Sequence, residues 1–145
     1  MSKAILVTGC SGLVGTHIVD QLIEKGYFVV GVDLKKPNRE DSVNFKFHDL
    51  DLRDVTETSV LFDWYDFEGC INSFGIKGTP KTAKENPVDF LEPSIKGNFN
   101  IIENCFRKDV WLVFMSSVGV YESAPEFIED TVWKTLPSKH DWYPS

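Results

Sequence analysis

The chain has 145 residues, 15 Lys and Arg against 22 Asp and Glu, and a formal net charge of −7; 42% of it is apolar. That is one domain's length, enough to bury roughly two-thirds of the unfolded surface, and too apolar for disorder. The acidic balance argues against nucleic acid, and no apolar run approaches the ~18 residues of a membrane span. The N-terminal run Ala4–Thr8 is too short for a signal-peptide core. Cys10, Cys70 and Cys105 are widely spaced and odd in number. They suit reduced thiols and a cytoplasmic setting, not a disulfide framework or a zinc site.

In chain order, Ala4–Val7 is a continuous apolar run, as in a strand buried on both faces. A glycine-rich turn follows. Val14, Ile18 and Leu22 then recur every four residues with polar residues between them, which predicts an amphipathic helix closed by Gly26 in a left-handed conformation. Phe28–Val32 reads as a second buried strand, Asn44–Phe47 as a third, Val55–Trp64 as a short helix and Gly69–Asn72 as a fourth strand. Pro87 to about Lys108 has helical spacing, with Pro87 suited to the first position and Pro93 predicting a kink or a late start near Glu92. Val110–Met115 is a fifth strand. This alternation implies an α/β fold, a Rossmann-like doubly wound parallel sheet with strand order 3-2-1-4-5. From Glu122 the period is lost, and 122–145 reads as an irregular loop after a domain spanning 1–121.

The strongest chemical signal is Thr8-Gly9-Cys10-Ser11-Gly12-Leu13-Val14-Gly15, set between a buried strand and a helix. Glycines there let backbone N–H groups approach a pyrophosphate at the helix N-terminus, and Gly15 lets the helix pack close to the sheet. Asp33 ends the second strand 18 residues after Gly15, where an acid accepts hydrogen bonds from the adenosine ribose hydroxyls. A ribose 2′-phosphate would meet that charge, so NAD is expected over NADP; Lys35 and Lys36 follow and soften the repulsion. Cys10 sits in the turn at a helix N-terminus, a place that lowers a thiol's pKa, but no base accompanies it. His17, His48 and His140 lack metal-ligand spacing, so no metal is expected. Asp54, Glu57 and Asp63 read as a solvated helix face.

The spacing Thr8-Gly9-x-x-Gly12-x-x-Gly15 resembles that of short-chain dehydrogenases/reductases. Further segments resemble the extended branch, the NAD-dependent epimerase/dehydratase family. These are Asp51-Leu52-Arg53-Asp54 after the third strand, Asn72-Ser73-Phe74-Gly75-Ile76-Lys77 after the fourth, Asn86-Pro87 with Ser94–Asn100 in the long helix, Phe114–Tyr121 after the fifth strand, and Glu129-Asp130-Thr131. The resemblance implies a bound NAD and a nucleotide-sugar substrate, processed by transient hydride transfer. The cofactor contacts it implies are Gly9, Ser11, Gly12, Leu13, Val14, Gly15, Asp33, Leu34, Asp51, Leu52, Ser73, Phe74, Gly75, Lys77, Met115 and Ser116. It also implies a catalytic Ser after the fifth strand, Ser117 with Ser116 as the close alternative, and a Tyr base, Tyr143, with Tyr121 and Tyr65 as other phenols.

The family's Lys partner would fall two residues past Ser145, so the chain reads as the N-terminal portion of such an enzyme and as inactive alone. Family members dimerise through the long helix, here 87–108, where Phe99 and Phe106 suit a core or an interface. Phe74 stands where the family has Ala, so its ring is expected to crowd the dinucleotide or stack on it. The alternative function is a non-catalytic module that senses a dinucleotide.

Overall fold

The computed structural model describes residues 3–76, 81, 85–117, 120–121 and 126–134. Two compact units divide the chain: Met1–Ile76 with Glu92–Met115, and Lys77–Leu91 with Ser116–Ser145. The first holds a parallel sheet of five strands: β1 (Ala4–Thr8), β2 (Phe28–Asp33), β3 (Phe45–Asp49), β4 (Phe67–Asn72) and β5 (Trp111–Phe114), in the order β3-β2-β1-β4-β5. The helices are α1 (Leu13–Glu24), α2 (Val55–Trp64) and α3 (Pro87–Lys108).

Successive strand residues point to opposite faces, and β1 divides accordingly. Ala4 and Leu6 join Val30, Val32, Leu61, Cys70 and Ile101 in one buried cluster, whereas Ile5 and Val7 join Val19, Val29 and Phe45 in the other. With a helix layer on each side, both faces of a central strand are apolar, which is why β1 carries no polar residue before Thr8. The strands lie where expected, with shifted ends: β3 runs on to Asp49, β4 begins at Phe67, and β5 is trimmed to four residues although Met115 N–H still donates to the Asn72 carbonyl at 3.0 Å.

The inner face of α1 differs from the expected Val14/Ile18/Leu22 stripe. Gly15 and Val19 are its fully buried positions, Ile18, Leu22 and Ile23 pack beside them, and Val14 turns outward. The cause is steric. A Cβ at Gly15 would run into the Gly9 carbonyl, so the glycine marks the line of closest approach and rotates the helix about it. Gly26 ends α1 at φ +85, as its position predicts. Asp54, expected on a solvated face, caps α2 instead: its carboxylate accepts the Glu57 N–H at 2.8 Å. Helix α3 starts at Pro87 and continues through Pro93. It ends at Asp109, whose left-handed backbone (φ 54) turns the chain into β5. In the second unit, Glu129–Thr131 forms a single 3-10 turn within the stretch expected to be irregular.

The candidate dinucleotide cradle

Parallel strands deliver their carboxyl ends to one edge of the sheet, and ligands of such sheets bind there. At that edge Thr8 pairs with Val32 on one side and Asn72 on the other, and Asp33 ends β2. The turn from Thr8 into α1 is built for backbone proximity. Gly9 has φ +62, and a Cβ there would lie 2.6 Å from the Ser73 carbonyl oxygen. No side chain larger than hydrogen fits between β1 and the segment after β4. Gly12 N–H donates to the Gly9 carbonyl at 3.0 Å, and Gly12 is the N-cap of α1 without a side-chain cap. The first-turn N–H groups of a helix have no intrahelical acceptor and favour an anion. Leu13, at the mouth of this turn, is 76% exposed, and Leu34, just past β2, is 59% exposed.

Asp33 is held in place by the turn it serves. Its Oδ2 accepts the Ser11 N–H at 3.0 Å and its Oδ1 accepts the Lys35 N–H at 3.1 Å. Each carboxylate oxygen retains a second lone-pair direction, the capacity that two ribose hydroxyls need. On the other side of β1, the Ser73 hydroxyl donates to the Thr8 carbonyl at 2.6 Å and the Phe74 N–H donates to the Thr8 hydroxyl at 3.2 Å. Asn72 ties this segment to α3. Its Oδ1 accepts from the Thr8 hydroxyl, and its Nδ2 donates to Asn98 Oδ1 at 2.8 Å. Thr8 and Asn72 are almost fully buried, and no buried side-chain polar atom among the described residues lacks a partner. These three polar residues stand inside the quoted motifs, but the motif reading gave them no role and missed the hydrogen bonds that join them. The available signal was Thr8 itself, a hydroxyl at the end of an otherwise apolar strand.

Phe74 does not face the cradle. Its ring packs on the core cluster and fills the notch at Gly97 of α3, where a Cβ would lie 2.6 Å from Phe74 Cε1. The ring expected to crowd or stack on a dinucleotide thus packs on α3, and the Phe74 N–H, bonded to Thr8, is the part held beside the glycine turn. Leu52 likewise sends its side chain into the core, while its carbonyl accepts from Asn100 Nδ2 at 2.8 Å and the Thr58 hydroxyl at 3.2 Å. Asp51 is clamped by Arg53, whose Nε donates to both carboxylate oxygens at 2.9 Å, and these side-chain hydrogen bonds hold Asp51 below the usual carboxylate range. Gly75 is exposed, with open space beside it.

Cys10 is buried beneath the turn, and desolvation pushes its thiol up to about 11, against the expected lowering by the helix terminus. Burial outweighs the helix dipole here, so Cys10 is a packing residue. Of the expected catalytic pair, Ser117 lies in the second unit with its carbonyl accepting the Val120 N–H at 3.1 Å, and Ser116 precedes it there. Lys77 and Tyr143 lie outside the described residues, as does His140. His48 is a satisfied histidine, its Nε2 2.7 Å from the Tyr65 hydroxyl. Among the described residues no cluster of three His, Cys, Asp or Glu is placed to hold a metal, and no helix is long and apolar enough to cross a membrane.

Comparison with known proteins agrees with this geometry. UDP-glucose 4-epimerase 2 of Arabidopsis thaliana is 33% identical over 134 residues, an alignment covering 83% of this chain and 38% of that protein. The crystal structure of the Thermus thermophilus UDP-glucose 4-epimerase in complex with NAD superposes with a TM-score of 0.78 at 31% identity, covering 92% of this chain and 44% of the other. The Thermotoga maritima UDP-glucose 4-epimerase with UDP-glucose superposes at 0.73 with 26% identity, covering 86% and 41%. The chain thus spans about two-fifths of the length of these relatives. The model of the NAD dependent epimerase/dehydratase family matches residues 5–142, and the chain belongs to that family.

Proposed function

We propose that the chain binds NAD and forms the cofactor-binding portion of an epimerase or dehydratase that acts on a nucleotide sugar by transient hydride transfer. The observation that carries the reading is the cradle itself. Gly9 and Gly15 stand where any Cβ would strike backbone, and Asp33 is fixed by two backbone N–H groups at the adjoining strand end. Such a cradle suits the pyrophosphate and one ribose of a dinucleotide. The relatives' names, UDP-glucose 4-epimerases, support the substrate class.

When bound, NAD supplies the hydride acceptor. The chain's own residues then divide the work. The backbone N–H groups of Leu13–Gly15 would donate to the pyrophosphate, and Asp33 would select the ribose. Asp51, Leu34, Leu13 and Val14 would border the adenosine and pyrophosphate, the Ser73–Gly75 backbone and Met115 would follow, and the family resemblance assigns Lys77 and Ser116 to the same cofactor. Ser117 donates a hydrogen bond to the reacting oxygen, and Tyr143 takes its proton, a task that requires its pKa to be drawn below the usual 10. Helix α3 supports a homodimer: Ile95, Phe99, Ile102 and Phe106 follow a 4-3-4 spacing and are all exposed, Phe99 at 63% and Phe106 at 87%. The three free, buried cysteines fit a reducing, cytoplasmic setting.

Calorimetric titration of NAD into the wild type and Asp33→Ala tests the cofactor reading. Wild type binds, and loss of the ribose acceptor weakens binding by roughly 10–100-fold, in keeping with charge-assisted hydrogen bonds. Equal affinity in the two proteins refutes the role given to Asp33.

A further inference from the structure

Past Asp33 the chain runs from Leu34 to Glu40 without regular structure, and among the described residues the backbone of 36–40 makes no hydrogen bond. This strap does not pack on α1 either: a cavity of about 750 Å³ lies between it, Val19 and Asp20 of the helix, and the Phe45 ring. Two tethers hold the strap. At its start the Lys35 N–H donates to Asp33 Oδ1 at 3.1 Å, and the Lys35 carbonyl accepts from the Ser11 hydroxyl. At its far end Arg39 donates to the Asp20 carboxylate on α1 and lies 5.3 Å over the Phe45 ring. Phe45 is a fixed platform. It is buried, and its ring lies against Gly31 of β2, where a Cβ would stand 2.9 Å from Cε2. The guanidinium presents its edge to the carboxylate and its face to the ring, a combination that an ammonium does not reproduce. The other ion pair of the strap, Lys36 with Glu40 at 3.3 Å, joins two strap residues and ties them to no other element.

We propose that Arg39 is a positioning residue for dinucleotide binding: by pinning the strap to α1 and Phe45, it keeps the Lys35 N–H on Asp33 and so keeps the carboxylate aimed at the ribose. The proposal rests on the reading of Asp33 as the ribose acceptor. Arg39 lines the cavity, which Asp33 does not, and its charge is spent on Asp20. It therefore acts through the strap and not by touching the cofactor. A segment without backbone hydrogen bonds of its own has many conformations once its far tether is cut. Those that withdraw the Lys35 N–H leave one Asp33 oxygen without its backbone donor, and the carboxylate is free to turn. Binding must then supply the order that Arg39 supplies in advance, and affinity falls.

The test is titration calorimetry with NAD on wild type, Arg39→Met, Arg39→Lys, Asp20→Asn, Asp33→Ala and the double variant Arg39→Met/Asp33→Ala, each checked for folding by circular dichroism. Arg39→Met keeps an apolar cover on Phe45 and removes the ion pair; it weakens NAD binding by about 3–10-fold, the range of a coupling between neighbouring groups. Arg39→Lys recovers part of the loss. Asp20→Asn cuts the same tether from the helix side, weakens binding likewise, and decides the outcome if Arg39→Met does not fold. In the Asp33→Ala background Arg39→Met costs nothing further, because the carboxylate it serves is gone. An equal loss in both backgrounds marks general damage to the fold and overturns the proposal. So does NAD binding that responds to Asp33→Ala but stays within about twofold of wild type in Arg39→Met, a result that leaves the reading of Asp33 intact. If wild type does not bind NAD, or Asp33→Ala binds it equally well, the reading of Asp33 falls and the positioning role falls with it.

Discussion

Placing an alanine at Gly97 tests where the Phe74 ring lies. In isolation the change favours the helix, since Ala exceeds Gly by about 1 kcal/mol in a helix interior. In the folded protein the new methyl would stand 2.6 Å from Phe74 Cε1 and 3.0 Å from Cζ. Overpacking of that kind costs about 1–3 kcal/mol, so Gly97→Ala is destabilising by about 0–2 kcal/mol overall. Phe74→Ala alone loses a partly buried ring, about 2–3 kcal/mol, less than the 3–5 of a fully buried phenylalanine. In the Phe74→Ala background the obstruction is gone, and Gly97→Ala becomes stabilising by about 0.5–1 kcal/mol. The sign of one substitution therefore reverses with the other, a coupling of at least about 1 kcal/mol. Urea unfolding of the four proteins reads it as midpoint shifts of roughly 0.3–1 M at an ordinary slope. An equal effect of Gly97→Ala in both backgrounds refutes the packing of Phe74 on α3. A ring directed into the cradle would instead make Phe74→Ala change NAD affinity more than stability.

In a longer protein carrying the family's downstream Lys, Tyr143→Phe lowers turnover by ~10²–10⁴-fold with little change in NAD affinity, and Ser117→Ala lowers it by ~10²-fold; steady-state rates near wild type for Tyr143→Phe transfer the role to another phenol. Phe99→Asp reduces self-association through α3 in light scattering across a concentration series, and an unchanged mass shows that this face is not the interface. The Cys10 thiol, pushed up to about 11 by burial, stays unreactive toward a thiol reagent at pH 8 until the protein unfolds. Its linkage has a definite sign. The unfolded thiol ionises near 8.5 and the folded one higher, so the contribution is complete below about 8.5 and is lost as pH rises toward 11. A thiol titrating near 8.5 in the native protein contradicts the burial of Cys10.

The strand order and the glycine turn were legible because each rests on local signals: short apolar runs alternating with periodic segments, and glycines at a strand end. The rotation of α1 was not. A hydrophobic stripe counts Val14 as inward, and although Gly15 signals close packing on the sheet, the stripe does not show that the helix turns about that contact. Asp54 as a cap was legible from its position three residues before Glu57, a spacing that a count of surface charges overlooks. The direction of the Phe74 ring depends on Gly97, 23 residues later, and no local pattern carries that information. Thr8, Asn72 and Asn98 come from two strands and a helix, so their hydrogen bonds exist only after the chain has folded.

That last group of residues bears on how the sheet finds its alignment. Ala4–Val7 is apolar on both faces, and a strand of this kind scarcely distinguishes one offset against its neighbour from the next. The pairing with β4 already contains an irregularity between Ala4 and Ile5. At the far end, Thr8 stands opposite Asn72. Sliding β1 by one residue would set the buried hydroxyl against Ile71 or Ser73, remove its amide acceptor and send every apolar side chain to the opposite face. The polar pair therefore acts as a stop that indexes the strand, and it does so one residue before Gly9, where an error of one step would displace the whole turn.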